Sequence, residues 1–206
     1  SEALTYSKSL IERHNIQCDL KPGHLHAAVK PRHQRELESW QRELRSEFGY
    51  DGLQLLDRQA LRSVLQTDAY QGGLLDPNSA HLHPLNYTLG LAAAAESAGA
   101  VIYEDSAAEH IEYGAQPLVT TSGGQVRCKY LVFCGNAYLG RVEKTLRRKY
   151  MPVGTYIIAT EPLDANRARA LIANDMAVAD MNFVLDYFRL SGDHRLLFGG
   201  RVSYST

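Results

Sequence analysis

The segment KYLVFCGNAYLG (residues 129–140) gives the strongest indication of the fold. Residues 130–134 form a short apolar run without polar alternation, which is typical of a strand buried on both faces at the centre of an α/β sheet. The run stops at Gly135, where a glycine permits a tight turn and a close backbone approach to a ligand. Ligands of open α/β sheets bind at the carboxyl ends of strands, so the segment predicts a nucleotide or cofactor cleft, although no G-x-G-x-x-G opens it.

Composition excludes several classes of protein. The chain has 206 residues, 45% of them hydrophobic and 22% charged, as in ordinary globular proteins. A formal net charge of -1 gives no electrostatic case for nucleic acid or an anionic membrane surface. Cys18, Cys128 and Cys134 form no C-x-x-C pair, which favours a reducing cytoplasm, and no apolar run reaches membrane-spanning length.

Periodicity and turn residues predict an alternation of helices and strands. Helices are predicted over residues 32–48 (ending at Gly49), after a cap at Asp57, from Pro84 onward, and over residues 164–172 with Asp164 as cap. Strands are predicted at residues 18–20, 24–29, 53–56, 71–78 (a strand that runs into a turn), 100–104, 109–113, 117–121, 125–128, 130–134, 151–161, 184–190 and 195–202. The three segments between 109 and 128 are spaced as an antiparallel meander.

Candidate metal and nucleophile motifs are weak. His24-x-His26 and His81-x-His83 each place two imidazoles on one strand face, but neither has a companion ligand set, so no metal site is predicted. Cys134 ends an apolar run and is interpreted as a small buried residue rather than a nucleophile.

Tyr187 and Arg189 are the more informative pair. On a strand over residues 184–190 they share one face by the two-residue period. An arginine fork beside a tyrosine suits a polar or carboxylate-bearing substrate. A solvent-exposed sheet surface would show the same alternation, so both interpretations stay open at this stage.

In order along the chain, six segments resemble the D-amino-acid-oxidase-like family of FAD-dependent amine oxidoreductases. They are GGLLDP (72–77), HLHP (81–84), ESAGAVIYEDSAAEHI (96–111), YLVFCGNAYLG (130–140), MPVGTYIIATEPL (151–163) and YFRLSGDHRLLFGG (187–200). The resemblance implies a mixed α/β fold: part of an FAD/NAD(P)-binding-type domain plus a mixed-sheet substrate domain, without the N-terminal glycine-rich βαβ unit. It implies an interdomain helix over 1–17, a substrate domain over 18–75 and 146–206, and an FAD-domain remnant over 76–145.

The resemblance also assigns site residues. It implies that FAD contacts Ala108, Gly135 and Asn136, and that Tyr187 and Arg189 line the substrate side of the cofactor. No residue is assigned as catalytic. The expected anchor of the FAD pyrophosphate, a glycine-rich loop at a helix N-terminus, is not found in the chain.

Two functions from different classes follow. The first is an internal fragment of a flavin-dependent oxidoreductase that oxidises the C–N bond of a small amine to an imine and then an aldehyde, with oxygen as electron acceptor. As a fragment it is expected to be inactive alone. The second is a non-catalytic module that binds a small ligand on the same sheet. The sequence leaves the exact amine and the oligomeric state open.

Overall fold

The computed structural model describes residues 2–140 and 142–203. The helices of these residues are α1 (Glu2–Arg13), α2 (Pro31–Phe48), α3 (Arg58–Val64), α4 (Pro84–Ser97), α5 (Lys144–Arg147) and α6 (Ala165–Leu171), with a 3₁₀ turn at Asn136–Tyr138. The strands are β1 (Lys21–Ala28), β2 (Gln54–Asp57), β3 (Gly72–His81), β4 (Ala108–Glu112), β5 (Leu118–Thr121), β6 (Gly124–Arg127), β7 (Gly154–Ala159), β8 (Ala177–Asp180), β9 (Tyr187–Leu190) and β10 (Leu196–Ser203).

These residues fold as two compact units. The first covers residues 2–94 and 155–202 and contains a seven-stranded sheet of order β2-β3-β1-β8-β9-β10-β7. The sheet is mixed, because β1 is antiparallel to β3 and parallel to β8. The second covers the described residues between 95 and 154 and contains the predicted meander, β4-β5-β6. The predicted fold class is confirmed, whereas the predicted domain boundaries stay a prediction.

One face of the large sheet, the core face, carries the hydrophobic core. Leu25, Val178 and Leu190 are buried on it, together with Leu61 of α3 and Ala168 of α6. Alternation along the strands turns the intervening residues to the opposite face. That opposite face, the open face, carries His24 and His26 of β1, Asp76 of β3, and Tyr187 and Arg189 of β9.

Helix α2 covers one end of the open face. Its Leu37 is fully buried against Ala28 and Leu74 in a second small core. The helix begins at Pro31 and ends at Gly49, whose φ of 62° is in the left-handed region and whose N–H donates to the Arg45 carbonyl at 3.2 Å. Glycine takes this conformation without a Cβ penalty, so the predicted helix end is confirmed.

Two predicted strands are absent from the second unit. Residues 100–104 and 130–134 are irregular, and Tyr130 and Val132 are 87% and 78% exposed instead of buried. Cys134, predicted to be buried, is exposed as well. A strand needs a neighbour for its backbone hydrogen bonds, and no described strand pairs with either segment. An apolar run therefore gave the wrong local structure here.

Other differences concern strand boundaries. Residues 18–20 are not a strand, and the strand predicted over 151–161 contracts to Gly154–Ala159. All three cysteines are free thiols. Cytoplasmic location stays a prediction. Within the described ranges, no helix has the length and apolarity needed to cross a bilayer.

Candidate functional site

A cleft of about 710 Å³ lies on the open face, around strand β9. Tyr187 and Arg189 both line it, as their shared strand face predicts, together with His24, Ala177 and Leu197. The cleft depends on Gly199, which pairs with Tyr187 across β9 and β10. A Cβ at that position would overlap the tyrosine ring, so the glycine lets the ring lie across the neighbouring strand.

Arg189 and Arg195 are the two guanidinium groups of this cleft, and they differ in their partners. Arg195 donates from Nε to Asp193 Oδ2 at 2.7 Å and from Nη1 to the Thr160 carbonyl at 3.0 Å, so its charge is paired within the fold. Arg189 donates from Nη1 to its neighbour's carbonyl, Leu190 O, at 3.1 Å. No ion pair to Arg189 is found among the described residues. Its fork therefore retains donors for an anionic ligand.

A second hollow of about 510 Å³ lies between the open face and α2. His26, Trp40, Tyr50 and Asp76 line it, and His24 lines both this hollow and the cleft. The His24 and His26 rings meet edge to face at 4.6 Å between centroids, and His26 meets Trp40 in the same way at 5.6 Å. His24 thus borders both hollows, and His26 lies beside it on the same sheet face.

Both histidines are held in the neutral form. Burial lowers the pKa of His24 to about 4, helped by the nearby His26 and His81 and opposed by Asp76. Burial also lowers the pKa of His26, again opposed by Asp76. A neutral imidazole can both donate and accept a hydrogen bond, so the middle of the open face is polar without being charged.

Asp76 is the carboxylate of the second hollow. Its Oδ1 accepts from the Tyr50 hydroxyl at 2.6 Å and the Asn78 N–H at 3.0 Å, and its Oδ2 accepts from the Ser79 hydroxyl at 2.9 Å. Burial acts to raise the pKa of Asp76, but these hydrogen bonds outweigh burial and lower the pKa below its usual value. Asp76 is therefore an anion at neutral pH.

Sequence reasoning missed Asp76 and underused His24. Asp76 lies in the segment GGLLDP, and nothing in that segment alone marks its carboxylate as part of a site. His24-x-His26 was considered only as a metal motif, and no group of three or more His, Cys, Asp or Glu side chains suited to a metal is found in the described part of the chain. The usable signal was the period of two that places His24 and His26 on one strand face.

The residues predicted to contact FAD lie in the second unit. Ala108 is the first residue of β4, paired with Thr121. Gly135 precedes the 3₁₀ turn, and a Cβ there would come within 2.7 Å of Leu139 Cδ2. Asn136 has a φ of 45°, a conformation that asparagine tolerates better than most residues. Their contact with a cofactor stays a prediction, as does contact of Tyr187 and Arg189 with a substrate.

The fit of the chain to FAD is divided. The open face offers a cleft with an aromatic ring and a guanidinium that has no carboxylate partner among the described residues, which suits the substrate side of a flavin site. The sequence contains no G-x-G-x-x-G, the loop that holds a dinucleotide pyrophosphate in such folds. The residues present therefore fit the substrate side of the cofactor and not its phosphates.

Comparison with known proteins identifies the family. The sequence matches the DAO family, FAD dependent oxidoreductases, over residues 1–206. The chain belongs to this family. The predicted resemblance is thereby confirmed, and the family and its structural neighbours are FAD-binding flavoproteins.

Two curated relatives support this family assignment. It is 43% identical over 195 residues to gamma-glutamylputrescine oxidoreductase of Escherichia coli K12, covering 94% of this chain and 46% of that protein. It is 42% identical over 198 residues to the probable oxidoreductase OrdL of Haemophilus influenzae, covering 94% and 46%. The chain thus spans about half the length of these relatives.

Solved structures show the same fold at lower identity. Glycine oxidase from Geobacillus kaustophilus superposes with a TM-score of 0.75 at 21% identity, covering 98% of this chain and 53% of that chain. L-Proline dehydrogenase from P. horikoshii superposes with a TM-score of 0.76 at 16% identity, covering 98% and 56%.

Proposed function

We propose that this chain forms the substrate-binding part of a flavin-dependent amine oxidoreductase. In the proposed reaction, a small amine loses two electrons and two protons from its C–N unit, water hydrolyses the resulting imine to an aldehyde and ammonia, and oxygen finally accepts the two electrons and two protons. Bound FAD would supply the acceptor for the hydride equivalent. Gamma-glutamylputrescine or a related amine is the proposed substrate, supported by the 43% identity to the E. coli enzyme that carries that name.

The observation that carries the proposal is the position of Arg189. It lies beside Tyr187 in the cleft of the open face, and no carboxylate of the described chain pairs with it. A guanidinium fork binds a carboxylate through two parallel hydrogen bonds, and the tyrosine hydroxyl can donate a third. These residues would bind and orient the substrate, leaving electron transfer to the cofactor.

Substitution of Arg189 in the full-length, FAD-loaded protein tests the proposal. Arg189→Gln removes the charge and should raise KM for a carboxylate-bearing amine by about 10–100-fold, because charge-assisted hydrogen bonds contribute about 1.5–3 kcal/mol. Arg189→Lys should recover part of the loss. Arg167→Gln, at an exposed position of α6, is the matched control and should leave KM unchanged.

Two results would contradict the proposal. An unchanged KM in Arg189→Gln would remove this residue from the site. If no amine in a panel of carboxylate-bearing and plain amines bleached the flavin absorbance under anaerobic conditions, the non-catalytic binding module would be the better account.

A further inference from the structure

Asp76, His24, Ala177 and Arg189 form a row straight across the open face. Asp76 pairs with His24 between β3 and β1, and His24 pairs with Ala177 between β1 and β8. Between β8 and β9 the register is Val178 to Phe188 and Ala179 to Tyr187, so one further residue places Ala177 opposite Arg189. We call these four residues the cross-strand row.

The row has opposite charges at its ends and none between them. The Asp76 carboxylate stands at one end and the Arg189 guanidinium at the other, while His24 is neutral and Ala177 is small. Three strand spacings separate the ends, which puts their Cα atoms roughly 14 Å apart. Asp76 lines one hollow and Arg189 the other, and His24 lines both, so the two hollows adjoin at the middle of the row.

Each end can still attract an opposite charge. The Asp76 carboxylate accepts hydrogen bonds from the Tyr50 and Ser79 hydroxyls and from the Asn78 N–H, and these neutral donors leave it with its full negative charge. Arg189 uses Nη1 in its bond to Leu190 O, which leaves most of its five donors. The hollow at the Asp76 end has apolar walls, including Trp40, Leu44 and Leu74, which suit the methylene groups next to an ammonium.

We propose that the cross-strand row selects an elongated substrate with an ammonium group at one end and a carboxylate at the other. The Asp76 carboxylate holds the ammonium and the Arg189 guanidinium holds the carboxylate, so the row measures the distance between the two charges. This proposal rests on the proposed role of Arg189 in substrate binding. It adds a cation-binding end at Asp76.

The test is a binding series on the full-length, FAD-loaded protein under anaerobic conditions, read by titration calorimetry. The probes are ω-amino acids from 4-aminobutanoate to 12-aminododecanoate, with n-alkylamines and n-alkanoates of matched length. Affinity for the ω-amino acids should pass through a maximum at an intermediate length. Plain amines and plain acids should bind more weakly and show no such maximum.

Variants separate the two ends. Asp76→Asn should weaken binding of the ω-amino acids and alkylamines by about 10–100-fold and leave the alkanoates unchanged. Arg189→Gln should weaken the ω-amino acids and alkanoates and leave the alkylamines unchanged. Asp68→Asn, an exposed carboxylate paired with Arg62, is the control and should change none of the three.

Several outcomes would overturn the inference. If Asp76→Asn weakened the binding of alkylamines and alkanoates equally, Asp76 would have a purely structural role. If affinity showed no optimum along the ω-amino acid series, the row would not select substrates by length. If Asp76→Asn fails to fold, Asp76→Glu, which keeps the charge and moves it by one methylene group, must shift the length optimum of the ω-amino acids. Selective loss of alkanoates in Arg189→Gln, with no amine effect at Asp76, would leave the proposed function intact and overturn the row alone.

Discussion

At the scale of the residue, His24 makes the stability of the fold depend on pH. Its ring is half-buried, and it faces His26, His81 and Asp76 on its own and neighbouring strands. Burial is the largest reason that its pKa falls to about 4 from 6.5. Between these two pH values the unfolded chain binds a proton that the folded chain does not, so protonation favours unfolding.

Folding stability should therefore be fully present above pH 6.5 and decrease as the pH falls toward 4. His24→Asn should reduce that acid-side loss by roughly 1–2 kcal/mol, a figure discounted for the solvent exposure of the ring. Urea unfolding from pH 4 to 8 measures the effect. His14→Asn, at an exposed position, should keep the wild-type pH dependence, and an unaltered profile in His24→Asn would contradict the assignment.

At the scale of the element, the cap of α3 gives a local test. Asp57 Oδ1 accepts from the Ala60 N–H at 2.8 Å, and the helix behind it places Leu61 fully in the core. Asp57→Ala should lower the free energy of unfolding by about 1 kcal/mol, the usual effect of losing an N-cap. Chemical denaturation measures this, with Glu47→Ala on the exposed surface of α2 as control. Equal stability of the two variants would argue against the cap.

Local signals explain which elements could be predicted from sequence. The end of α2 at Gly49 and the caps at Asp57 and Asp164 depend on residues within one helical turn, and all three were predicted correctly. Residues 100–104 and 130–134 were not, because a strand also requires a partner that may be distant in sequence. An apolar run indicates a tendency to be buried, but it does not show whether another strand is available to pair with it.

The candidate site likewise contains residues that local spacing predicts and residues that only strand pairing brings together. Tyr187 and Arg189 lie two residues apart, so strand alternation alone placed them on one face. Asp76 and His24 are 52 positions apart in the sequence and meet only through the register of β1 with β3. Arg189 joins them through two further strand pairings. No single-residue pattern encodes such a row, because each pairing is set by the packing of the whole sheet.

At the scale of the whole molecule, the chain contains some of the predicted flavin contacts and no pyrophosphate-binding loop. It supplies the open face and the predicted contacts Ala108, Gly135 and Asn136. It contains no glycine-rich fingerprint, and it spans about half the length of its relatives. Backbone N–H groups at a helix N-terminus provide much of the attraction for a dinucleotide pyrophosphate. A chain without such a loop should therefore bind FAD weakly.

The 206-residue chain expressed alone is therefore expected to bind FAD poorly and to lack oxidase activity. Gel filtration with added FAD, followed by absorbance at the flavin band, measures retention, and circular dichroism of the same fractions establishes that the chain is folded. The full-length protein treated identically is the control and should elute with about one FAD per chain. A folded, yellow 206-residue preparation with stoichiometric FAD would contradict the prediction, since this chain would then hold the cofactor without a pyrophosphate loop.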